Sequence, residues 1–152
     1  VVVDTAGAAL LGVLEVHPFL IKPNRDELGQ IFGEKLTARD DILECAGKLQ
    51  RRGARNVLVS MAGDGAVLLS EDGRVFESPA PRGELVNGVG AGDSMVAGFL
   101  AGWQKSRDLS YAFRMAVAAG SASAFSDHLA EADQIERLME QIEGKVKTGF
   151  LY

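Results

Sequence analysis

Three glycines in five residues, Gly88, Gly90 and Gly92, run straight into an apolar series at helical spacing. The series is Val96, Phe99, Leu100 and Trp103, one face of an amphipathic helix. Asp93 and Ser94 sit between the two. A chain carrying this stretch has to deliver a glycine-rich loop to a helix N-terminus with a carboxylate in its first turn. The first N–H groups of a helix lack internal partners, and the macrodipole makes that end positive. Glycine lets the backbone turn sharply and approach a ligand closely. The arrangement suits an anion, most simply a phosphate. The plainer alternative is an ordinary loop in which Asp93 is only the helix N-cap.

The rest of the chain alternates short apolar runs with helix-favouring stretches. Strands are expected at residues 1–3, 19–21, 56–61, 66–69 and 74–78. Helices are expected at residues 6–16, 24–32, 109–125 and 132–142, with Gly33 ending the second of these. A further helix starts from a capping-box-like Thr37-Ala38-Arg39-Asp40 and buries Ile42, Leu43, Ala46 and Leu49 before Gly53 stops it. Turns fall at 62–65 and 71–73, and the tail from 145 to 152 reads as an edge strand. Strand–helix repeats followed by a hairpin predict a mostly parallel, doubly wound sheet with an antiparallel edge. The alanine-rich helix at 109–125 carries Gly120 and Ser121, which implies close backbone approach; plain helix packing is the preferred reading over a flat ligand.

A chain of 152 residues is one domain by length, and residues 1–152 are taken as such. A domain of this size buries about 68–70% of its unfolded surface, so a real core is expected. The net charge of −5 offers nucleic acid and anionic membrane no electrostatic match, so any anion is held by local backbone dipoles. A single cysteine, Cys45, excludes an internal disulfide and fits a reducing, cytoplasmic compartment. The apolar runs are too short for a membrane span. The chain opens inside an apolar run without a methionine and reads as part of a longer protein.

Three motifs fall after strands, where a doubly wound sheet binds its ligands. Lys22-Pro23-Asn24-Arg25-Asp26-Glu27 follows the second strand, and by spacing alone Asn24 and Glu27 read as a helix cap with an acidic first turn. Ser60-Met61-Ala62-Gly63-Asp64-Gly65 lies between two strands and by itself is a hairpin turn. Asp4-Thr5 ends the first strand, and a helix-capping role is favoured there. No G-x-x-x-x-G-K-[ST] loop is present, and Cys45, His17 and His128 have no metal-ligand or triad spacing. His128 is read as structural.

Taken together these residues carry a resemblance. Gly90-Ala91-Gly92-Asp93-Ser94-Met95-Val96-Ala97-Gly98-Phe99 resembles the signature of the PfkB (ribokinase-like) carbohydrate kinases, and nearly the whole chain resembles their C-terminal half. The resemblance implies a ribokinase-like three-layer α/β sandwich. It also implies that the Gly90, Ala91 and Gly92 amides form an anion hole and that Asp93 is the catalytic base. It makes Asn24 and Glu27 an N-x-x-E element serving phosphate and Mg2+, with Glu27 acting through water. Ser60, Gly63 and Gly65 become ATP contacts, and Asp4-Thr5 a neighbour of the phosphates.

Asn87-Gly88-Val89 before the signature is similar to the branch of 1-phosphofructokinases and tagatose-6-phosphate kinases, although Gly88 stands where a small hydroxyl residue is expected. Ala62 likewise stands where the family pattern has glycine. The implied reaction is ATP-dependent phosphorylation of a sugar phosphate, fructose 1-phosphate first and tagatose 6-phosphate second. The 152 residues alone are expected to lack turnover, because the sugar-reading half lies outside them. The rival reading is a nucleotide-binding chain without catalysis, whose exposed sheet edge favours association into a homo-oligomer.

Overall fold

A computed structural model describes residues 2–3, 8–83, 85–86, 90–125 and 131–150. Asp4, Thr5, Asn87, Gly88, Val89 and His128 lie outside the described residues. The chain divides into two compact units. The first comprises Val1–Met61, Val67–Val75 and Thr148–Tyr152, and the second Ala62–Ala66 and Phe76–Lys147.

The elements run β1 (Val2–Val3), α1 (Ala8–Val13) with a 3-10 turn at Leu14–Val16, β2 (Leu20–Ile21), α2 (Arg25–Phe32), α3 (Arg39–Arg51) and β3 (Asn56–Ser60). A 3-10 turn at Ala62–Asp64 leads to β4 (Ala66–Leu69) and β5 (Arg74–Ser78), then α4 (Ala91–Ser106), α5 (Leu109–Ala124), α6 (Ala132–Ile142) and β6 (Lys147–Phe150). The six strands form one sheet in the order β1-β2-β3-β4-β5-β6. β1, β2 and β3 are parallel, with Val2 opposite Leu20 and Leu20 opposite Asn56. β3, β4 and β5 are neighbours joined by connections of a few residues, too short for a parallel crossover, so this part of the sheet is antiparallel. The expected mixture of parallel strands and an antiparallel edge is therefore present, with β6 as the final, fully exposed edge strand.

The core of the first unit follows from sequence periodicity. Ile42, Leu43, Ala46 and Leu49 of α3 pack with Leu10, Leu14 and Leu28 and with the alternate strand residues Ile21, Val57, Val59, Val67 and Leu69. Full burial of one such side chain is worth about 1.5–3 kcal/mol. Leu20, Leu58 and Leu68, on the other face by strand alternation, are also buried. Asn56 is buried among them and satisfied: its Nδ2 donates to Phe19 O at 2.9 Å and its Oδ1 accepts from Glu71 N at 3.1 Å. Buried polar groups without such partners cost stability.

Two sequence expectations are corrected. Thr37 does not open α3: the N-cap is Ala38, in extended backbone and without a side-chain cap bond. Ala38 O accepts the first helical bond, from Ile42 N at 3.2 Å, so the helix begins one residue later than a Thr37 cap requires. In α4 the most buried face is Met95, Gly98, Phe99 and Gly102, whereas Val96, Leu100 and Trp103 are only half-buried. The cause is the α5 helix. A Cβ on Gly98 would lie 2.7 Å from Ala119 Cβ and from Met115 O, and one on Gly120 would lie 2.3 Å from Met95 Cγ. α4 and α5 thus meet through small residues, as the alanine-rich sequence of α5 implied, and apolar periodicity scores glycine as nothing.

Candidate active site

In the first unit, the ends of β2 and β3 stand side by side. The parallel register carries on past both strands: Asn24 bridges Ser60, and Ser60 N donates to Pro23 O at 3.2 Å. Two motifs separated in sequence are thereby brought together at the C-terminal ends of adjacent parallel strands.

Asn24 is the N-cap of α2. Its Oδ1 accepts from Glu27 N at 2.7 Å, and Glu27 Oε1 accepts from Asn24 N at 3.0 Å, a reciprocal capping box. The capping geometry that spacing alone favoured is present. It uses one oxygen of each side chain. A carboxylate has about four acceptor positions, so Glu27 Oε2 retains capacity for a water or a hydrated cation. Among the described residues no group of three His, Cys, Asp or Glu side chains is placed to hold a metal ion. A single spare carboxylate oxygen of this kind suits a hydrated Mg2+ met through water.

The second unit holds the other two elements. Ala62–Asp64 form a 3-10 turn closed by Gly65 N donating to Ala62 O at 3.1 Å. Gly65 has φ 96°, and a Cβ on it would lie 2.0 Å from Ser78 O. Gly63 is exposed, with open space where a Cβ would be. Ala62, the departure from the family pattern, has φ 48°. An L-residue in the left-handed region costs roughly 1–2 kcal/mol, and glycine recovers most of it less its own entropy. Ala62→Gly is accordingly expected to stabilise the chain by about 0.5–1 kcal/mol, read as a higher urea midpoint at constant m-value; an unchanged or lower midpoint would mean that the methyl group is not strained.

Gly90 caps α4 with φ 86° and makes no side-chain cap bond. Ser94 N donates to Gly90 O at 2.9 Å, so helical bonding starts there, and the amides of Ala91, Gly92 and Asp93 precede it without intrahelical acceptors. Asp93 is exposed in the first turn. It is not the N-cap; Gly90 occupies that position, and the ordinary-cap reading of Asp93 falls with it. What remains is a glycine entry, amides without intrahelical acceptors at the positive end of a 16-residue helix, and a solvent-facing carboxylate in its first turn.

Burial and Glu34 push the Cys45 thiol up. Burial works against the Asp72 carboxylate, but hydrogen bonds from Ser70 and Arg74 outweigh it and hold the group below the usual carboxylate range. The Arg55 guanidinium is raised by its hydrogen bonds to Glu71. Among the described residues no helix is long and apolar enough to cross a membrane.

The sequence pattern of the pfkB family carbohydrate kinases matches residues 1–134. The chain belongs to this family. It is 47% identical over 142 residues to the 1-phosphofructokinase of Bacillus subtilis (strain 168), covering 93% of this chain and 46% of that protein. It is 36% identical over 143 residues to the D-tagatose-1-phosphate kinase of Bacillus licheniformis, covering 93% of this chain and 47% of that protein. The phosphofructokinase-2 of Escherichia coli, solved in complex with substrates and products, superposes with a TM-score of 0.85 at 30% identity, over 93% of this chain and 47% of that one. Arabidopsis thaliana ribokinase, solved with ribose and ATP, superposes with a TM-score of 0.79 at 20% identity over 91% of this chain and 47% of that one, which identifies the fold as ribokinase-like. The chain spans about half the length of the curated relatives it matches.

Proposed function

We propose that this chain supplies the nucleotide-binding and catalytic half of an ATP-dependent sugar-phosphate kinase. Its acceptor is fructose 1-phosphate, with a tagatose phosphate as the alternative within the family. The observation that carries the proposal is the first turn of α4, where the Ala91, Gly92 and Asp93 amides precede the first helical bond, without intrahelical acceptors, beside an exposed carboxylate.

In this reading Asp93 accepts the proton of the acceptor hydroxyl. The hydroxyl oxygen forms a bond to the γ-phosphorus while the bond to the bridging oxygen breaks and ADP leaves. The amides of the Gly90-Ala91-Gly92 loop donate to the oxygens on which charge develops. Phosphoryl transfer asks chiefly for such positioning and electrostatic stabilisation. Bound Mg2+ would neutralise phosphate charge, and Glu27 would hold one of its waters while Asn24 orients a phosphate oxygen. Ser60, Gly63 and Gly65 would line the nucleotide, with glycine at 63 and 65 leaving room for close approach. A cytoplasmic setting belongs to the same reading, in keeping with a chain whose single cysteine, Cys45, is buried and forms no disulfide within it.

A ligand selective for the folded state raises its melting temperature. At ten times its Kd, Mg-ATP should raise the Tm of the 152-residue chain by roughly 3–6 °C, with no turnover in a coupled assay with fructose 1-phosphate. Glu27→Gln preserves the capping box, since glutamine serves at that position as well as glutamate. It should lower the Tm without ligand only slightly, since a first-turn charge is worth about 0.3–1 kcal/mol, and raise the magnesium concentration needed for half of the ATP-dependent shift. A missing shift would sink the nucleotide site, an unmoved magnesium titration would return Glu27 to capping alone, and turnover would show that the catalytic unit is smaller than proposed.

A further inference from the structure

Residues 79–86 carry the chain from β5 toward the loop that enters α4, and burial does not anchor their far end. Leu85 and Val86 are 70% and 56% exposed. Three other contacts, all within the second unit, hold this segment. The Gln141 side chain pairs with the Arg82 peptide: Oε1 accepts from Arg82 N at 2.9 Å, and Nε2 donates to Arg82 O at 3.5 Å. A side-chain amide here takes the place of a neighbouring strand's peptide group. Gly83 lies under the Phe125 ring, so close that a Cβ would fall 2.4 Å from two ring carbons. That ring is itself packed against Ala118, Ala122 and Leu138, beside Ile135 and Met139. Val86 N donates to Ala124 O, at the end of α5, at 2.9 Å.

We infer that α6 is a positioning element for the start of α4: Gln141 and the packed Phe125 ring hold Arg82 and Gly83 and so bear on where the first turn of α4 presents the Ala91, Gly92 and Asp93 amides. Gln141 lies beyond the stretch that matches the family, which ends at residue 134, and no sequence motif marks it. The consequence for ligand rests on the function proposed above; the fixing of the segment does not.

The test uses two variants of the full 152-residue chain. Gln141→Met keeps the size of the side chain and removes both hydrogen bonds, at an exposed position where folding is not at risk. Gln141→Glu keeps an acceptor for Arg82 N. Amide hydrogen exchange should be several-fold faster in Gln141→Met at Val86 and at Ser94, whose N–H makes the first bond of α4, while Gln141→Glu stays near wild type. The Kd for Mg-ATP should rise by about five-fold in Gln141→Met, the scale of one lost hydrogen bond, and recover in Gln141→Glu. Faster exchange confined to α6, with Val86 and Ser94 unmoved, would overturn the inference, because a purely structural Gln141 stabilises its own helix alone. Faster exchange at Ser94 with unaltered nucleotide affinity would overturn the positioning role. If the wild-type chain binds no Mg-ATP, the proposed function fails, and exchange at Val86 and Ser94 alone decides whether α6 bears on the start of α4.

Discussion

Asp93→Asn lowers kcat by at least ~10²-fold, the scale of general-base loss, while ATP affinity changes little. The measurement needs a complete kinase. The 1-phosphofructokinase of B. subtilis with its matching stretch replaced by this chain is a suitable host, given 47% identity over 142 residues. Asparagine has nearly the shape of aspartate, and residue 93 is exposed in the first turn of α4, so no packing is lost. Removing a negative charge from a helix N-terminus costs about 0.3–1 kcal/mol of stability, far too little to mimic the kinetic loss in a folded enzyme. The cap of α4 is also untouched, since Gly90 holds that position without a side-chain bond. The same chimera with Asp93 intact is the reference. If the variant keeps kcat within a factor of a few, Asp93 serves the helix dipole and the base lies elsewhere.

Gly65→Ala should destabilise the chain by about 3–4 kcal/mol, the sum of an L-residue forced into a sparsely populated backbone region and an overpacked contact. The backbone contribution follows from φ 96°. The steric one follows from a Cβ that would lie 2.0 Å from Ser78 O and 2.9 Å from Pro79 C. Both obstacles are backbone atoms, so no side chain can rotate out of the way. Gly63, two residues earlier in the same turn, has open space around it and no positive φ. Gly63→Ala should therefore stay within about 0.5 kcal/mol of wild type. Urea denaturation of the two variants side by side separates them. Equal midpoints would mean that the turn is not held against β5 as described. Because the turn is also the proposed nucleotide loop, Gly65→Ala should weaken the Mg-ATP-dependent Tm shift even in the fraction that folds.

Much of this was legible in the sequence because the signals were local. β4, β5 and α6 occupy the residues expected from alternation, turn chemistry and helical period. Gly33 ends α2 in the left-handed conformation its position implied. Asn24 and Glu27 form the cap that their spacing suggested, and the glycine entry into α4 begins at Gly90. Each of these depends on residues within one turn or one strand of each other, where backbone geometry leaves few alternatives.

The remainder depended on contacts between residues far apart in the chain. Apolar spacing named Val96, Leu100 and Trp103 as the inner face of α4, but α5 approaches over Gly98 and Gly102, and a missing side chain carries no hydrophobic signal. The Asn24–Ser60 bridge joins two motifs through the parallel register of β2 and β3, which no local pattern encodes. Gln141 reads as one more polar residue on a surface helix until its pairing with Arg82, 59 residues away, is seen. Sequence by itself determined which residue types could meet a phosphate, because a glycine loop, a helix N-terminus and a nearby acid are local properties of the chain. Only the tertiary structure decided which of those groups stand ahead of the first helical bond of α4. It showed Gly90, not Asp93, capping α4, and it showed Gln141 and Phe125 against Arg82 and Gly83, since hydrogen-bond satisfaction and steric room are settled by neighbours that folding brings in from elsewhere.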